Sequence, residues 1–112
     1  MNYLAEMESL HDEERLAFYE GLAHNLTIAG RDVWSSDEAP VDKVDQLKWL
    51  NEIQHRVTAK IRVLRTKHHA WTEQDSWDDI QHWIAQNPKN ESRVSWAVRA
   101  ALRTARRSEN RA

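Results

Sequence analysis

The sequence has no cysteine, two glycines and two prolines among its 112 residues. Without cysteine there is no disulfide framework and no thiol nucleophile, a composition that suits a reducing cytoplasm. So few glycines and prolines exclude turn-rich all-β architectures, which need them at their reversals. No apolar run approaches the ~18 residues of a membrane span, and no charged n-region followed by an apolar h-region opens the chain. These absences leave one expectation: a single all-α cytoplasmic domain spanning residues 1–112, with frayed ends at 1–10 and 107–112 and no membrane contact.

What is present is helical periodicity. Over residues 44–69, at about 100° per residue, Leu47, Leu50, Ile53, Val57, Ile61, Leu64 and His68 fall on one side, while Glu52, His55, Arg56, Arg62 and His69 fall on the other. The run is free of Gly and Pro and reads as one long central helix on which the rest packs. Before it, a helix ending near residue 31 turns Leu16, Tyr19, Leu22, Ala23, Leu26, Ala29 and Val33 inward, with Ser9 or Asp12 as its cap. Residues 34–40 form a loop, with Ser36 or Asp37 capping the long helix and Pro40 in its opening turn. A third helix starts at Thr72 or Ser76, carries Trp77, Ile80, Trp83 and Ile84, and stops at Asn87-Pro88. A fourth, capped by Asn90, turns Val94, Ala97, Val98, Ala101, Leu102 and Ala105 to one side; those small residues imply close helix contact. The expected fold is a small three- to four-helix bundle.

Charge is segregated although the net value is only −2. Residues 1–46 hold eleven acids against three bases, and residues 47–70 hold six bases against Glu52 alone. Residues 71–88 hold four acids and no Lys or Arg, and residues 89–112 seven bases against two acids. Acidic and basic helices lying side by side account for this pattern more simply than steering of a ligand does.

Three patterns could carry chemistry or binding. Glu52-Ile53-Gln54-His55 is echoed by Asp79-Ile80-Gln81-His82, and Glu-x-x-His on two helices is the ligand pattern of di-iron bundles. The phase rejects it, because both acids and both histidines point away from their apolar faces; neither a metal nor a cofactor is expected. Arg62 and His68, with five residues between, resemble the Arg-x(4–6)-His signature of HEPN ribonucleases, which are all-helical and often dimeric. The resemblance implies RNA cleavage at a composite Arg–His site. Val63 stands where a polar residue usually follows the Arg, and His69, which shares a helix face with Arg62, is the better catalytic candidate beside it. The third pattern is Trp96 flanked by Arg99, Arg103 and Arg106 on the outer side of the last helix. Arginines there could neutralise phosphates while the indole stacks on bases; the alternatives are Arg–Trp stacking within the protein or pairing with acidic helices.

The six tryptophans suit both core and interface, and Trp49 and Trp96 are expected to be partly exposed. Phe18, Gly21 and Ile28 leave the inner face of the first helix, as a helix buried on two sides would show. With Trp49 they are the candidate interface residues of a homodimer. The leading functional expectation is a non-enzymatic protein-binding or regulatory module acting through a Trp-rich interface, with a protein partner that the sequence does not identify. Nucleic-acid binding through the last helix and the end of the long one comes second, and a HEPN-like ribonuclease third.

Overall fold

A computed structural model describes residue 6, residues 9–66 and residues 73–109; for residues 12, 66, 73–76 and 107–109 it describes the backbone alone. Four α-helices account for almost all of it: α1 (Asp12–Trp34), α2 (Pro40–Thr66), α3 (Glu73–Ile84) and α4 (Glu91–Glu109), with a 3-10 turn at Pro88–Asn90 before α4. The all-α bundle that the periodicity indicates is the fold. No described helix is long and apolar enough to cross a membrane.

The helix ends follow local hydrogen-bonding needs. At the start of α1, neither Ser9 nor Asp12 is the cap: His11 occupies that position, and its backbone N–H donates to the Glu14 carboxylate at 2.8 Å. The acid reaches back from inside the first turn, which leaves the Ser9 hydroxyl to bond the Glu6 carbonyl at 2.7 Å. Ser36 closes α1 rather than opening α2, since its hydroxyl donates to the Val33 carbonyl at 2.7 Å. Pro40 stands first in α2, where a missing N–H is harmless. The Ala39 carbonyl accepts from the Asp42 and Lys43 N–H groups, and Lys43 Nζ reaches the Trp34 carbonyl at 3.0 Å to fasten the α1–α2 corner. Beyond Arg106, α4 continues to Glu109.

The core stripes agree with the periodicity. Leu50, Ile53, Val57 and Ile61 of α2 are buried, and Leu47 and Leu64 partly so. All six inward residues of α4, from Val94 to Ala105, are buried. The arrangement around them differs in one respect. The longest helix is α2, with 27 residues, but the helix held on two sides is α1, which packs along both α2 and α4 while α3 packs on α2.

That layout explains the second stripe of α1. Gly21 faces Ala101 of α4, and the Asn25 amide donates to the Ala97 carbonyl at 3.1 Å. Phe18 is fully buried and meets Trp77 of α3 edge-on, with ring centroids 6.3 Å apart. The cover for this side of α1 therefore comes from α3 and α4 of the same chain. Ion pairs join elements of opposite charge, as the segregation suggests: Arg65 with Glu20 at 3.2 Å, Arg56 with Asp79 at 3.1 Å and Arg93 with Glu38 at 3.6 Å.

Candidate interaction surfaces

Among the candidate interface residues, Phe18 lies inside the core, Gly21 is turned to α4 and Ile28 is half-buried. Trp49, expected to be partly exposed, is only 6% exposed. Its ring lies under α3, and its indole N–H donates to the Trp83 carbonyl at 2.6 Å, near the end of that helix. A Trp whose polar edge finds a backbone acceptor can sink fully, and the spacing within α2 carries no information about where α3 returns.

Beside Trp49, Arg56 joins α2 to α3. Its guanidinium contacts Glu52 at 2.8 Å and Asp79 at 3.1 Å and lies over the Trp83 ring, 4.4 Å from its centroid. The two acids of the rejected di-iron pattern thus share a cation, while His55 and His82 are exposed. No group of three or more metal-ligating side chains occurs among the described residues. Arg62 is exposed on α2; His68 and His69 lie outside the described residues, so the Arg–His pair has no geometry to report.

Two surfaces gather candidate binding side chains. The first lies at the α1–α2 corner. Trp34 is 68% exposed, Val41 67% and Val44 45%, the large exposed hydrophobic residues of the described chain. A shallow groove of about 490 Å³ runs between the two helices, with Gly30 and Thr27 on the α1 side and Val44, Leu47, Lys48 and Asn51 on the α2 side. Trp34 stands one turn beyond Gly30, and Val41 one turn before Val44, both towards the loop that joins the two helices. The sequence carries a signal for this surface: Val44 falls directly opposite Ile53 in phase, an apolar residue on the back of a helix.

The second surface is on α4. Trp96, Arg99, Arg103 and Arg106 line one groove of about 480 Å³, together with Leu102 and Glu6. All four residues singled out in the last helix are therefore gathered on one surface. Trp96 is half-buried with its ring against the core, and the three arginines are exposed.

No protein-family model, curated protein or solved structure matches this chain. The two surfaces must therefore be read on their own chemistry. The corner offers apolar area with a polar margin, which suits burial against another protein. The α4 groove offers positive charge beside an aromatic ring.

Proposed function

We propose that this protein is a non-enzymatic interaction module that works through the α1–α2 corner, and that the surface seated there is the same corner of a second copy. The observation that carries this reading is the joint exposure of Trp34, Val41 and Val44 at one corner of the bundle. Leaving a Trp and two Val side chains in water forgoes burial worth about 1.5–3 kcal/mol for each aliphatic one. Hot spots at protein interfaces are enriched in Trp.

Charge supports a self-complementary contact. Asp45 and Lys48 are both exposed, three residues apart beside Val41 and Val44 on the outer side of α2. Two antiparallel α2 helices related by a two-fold axis between these positions set each aspartate opposite the other copy's lysine. In such a dimer the valines and Trp34 leave water together, and regulation follows from whatever favours or opposes pairing.

Sedimentation equilibrium over a wide concentration range tests this. The expected mass at high concentration is twice the 13.2 kDa of the chain, falling to the single-chain value for Val44→Asp. Exchanging Asp45 and Lys48 in one variant keeps the pairing and should leave the dimer intact. A wild-type protein that stays single at every concentration overturns the reading.

A further inference from the structure

We propose that the α4 groove is a binding site for single-stranded nucleic acid, with Arg99, Arg103 and Arg106 on the phosphates and Trp96 as a stacking platform for a base. The site is separate from the α1–α2 corner and stands whether or not the chain dimerises.

A basic helix in a protein of net charge −2 most simply neutralises its acidic neighbours, and on α4 Arg93 does so with Glu38. Arg99, Arg103 and Arg106 do not: among the described residues none of them is in an ion pair or a hydrogen bond. The other internal use of an arginine, stacking on a tryptophan, is taken by Arg56 on Trp83 and not by these three on Trp96. Three exposed guanidinium groups thus stand along one side of one helix without a partner among the described residues, over about 10 Å at 1.5 Å per residue. They and Trp96 line the same groove.

The mixture of groups selects the ligand. Three aligned cations alone would suit any polyanion, an acidic protein segment included. An indole held half-buried at the end of the row adds a flat π surface whose orientation is fixed by packing on the core. Stacking on aromatic rings beside a cationic track is how single strands are bound without sequence preference. In a duplex the bases are already stacked on one another and offer Trp96 no free face. Among the described residues one carboxylate, Glu6, also lines the groove; it stands against three positive charges.

The test is titration of the full chain with short fluorescein-labelled oligothymidylate and oligouridylate over a range of salt, with polyglutamate of matched charge as competitor. With three phosphates neutralised, log affinity should fall against log salt with a slope of about −2, at roughly −0.7 per contact for single strands. Arg103→Gln should flatten the slope by about 0.7 and weaken binding. Trp96→Leu should weaken binding by roughly tenfold with the slope unchanged, the mark of lost stacking rather than lost charge. Trp96→Phe, which keeps a ring, should retain most of the affinity and serves if the leucine variant does not fold. No binding at low salt overturns the proposal. So does displacement by polyglutamate as efficient as by unlabelled oligonucleotide, which would make the groove a protein-docking site, or a Trp96→Phe variant as weak as Trp96→Leu.

Discussion

Two of the three seams that hold the bundle together use opposite means. Between α1 and α4 the contact is made of small side chains, with Ala101 set against Gly21 and the Asn25 amide donating to the Ala97 carbonyl across it. Between α2 and α3 the contact relies on large groups and polar clasps. The Trp49 indole bonds the Trp83 carbonyl, and Arg56 is held by Glu52, Asp79 and the Trp83 ring. Small residues allow two helices to approach along a long line, so stability is spread over many modest contacts. A 12-residue helix such as α3 has a short line to offer and must concentrate its attachment in a few side chains.

The contrast can be broken first at Trp77. This fully buried ring is α3's largest anchor and reaches Phe18 of α1. Trp77→Ala should destabilise the protein by about 3–5 kcal/mol, read by chemical denaturation. Hydrogen exchange should show α3 losing protection while α1 and α4 keep theirs; uniform loss across all four helices would mean that the seams are not independent. A smaller effect is expected at the other seam. Ala101→Leu adds bulk where a Cβ on Gly21 would already stand 3.6 Å from the Ala101 Cβ. Overpacking of this kind costs about 1–3 kcal/mol, and a neutral result would show the α1–α4 line to be looser than its composition implies. The smallest change sharpens the comparison and has the opposite sign. A Cβ on Gly21 meets Ala101 at ordinary van der Waals distance, so the close approach does not require a glycine. Gly21→Ala should therefore stabilise the fold by roughly 0.5–1 kcal/mol through helix propensity alone; a lower melting temperature would contradict it.

The seams also mark how far the sequence could be read. The α4 face is legible to the residue, because alanines and valines at helical spacing have no other use than packing. The inner faces of α1 and α2 are equally plain, and so is the Asn87-Pro88 stop. Trp49, four residues before Ile53, falls at the edge of the apolar face by periodicity, and its depth of burial depends on α3 folding back over that edge. The second side of α1 is visible as a stripe, but which helix covers it is not, since a companion from the same chain and one from another copy leave the same trace. Arg56 lies among the polar residues of α2 and gains its role only when Asp79 and Trp83 arrive from α3. Of the candidate binding residues, Trp96, Arg99, Arg103 and Arg106 were within reach because a single helix positions all four. Trp34 was not, because it stands at the helix end where the pattern gives way to the loop.

The bond between Asn25 and the Ala97 carbonyl joins positions 72 apart in the chain, and the pairing of the first helix with the last bears on how the protein is made. On the ribosome, α1 emerges well before the helix that covers its second side, and α2 can shield only one flank in the interval. Folding cannot then advance helix by helix from the N-terminus. It must wait for α4, with Phe18 in water until α3 arrives and Gly21 until α4 does, and such remote pairings close more slowly than local ones. A nascent chain halted before α4 would leave the Gly21 side of α1 uncovered.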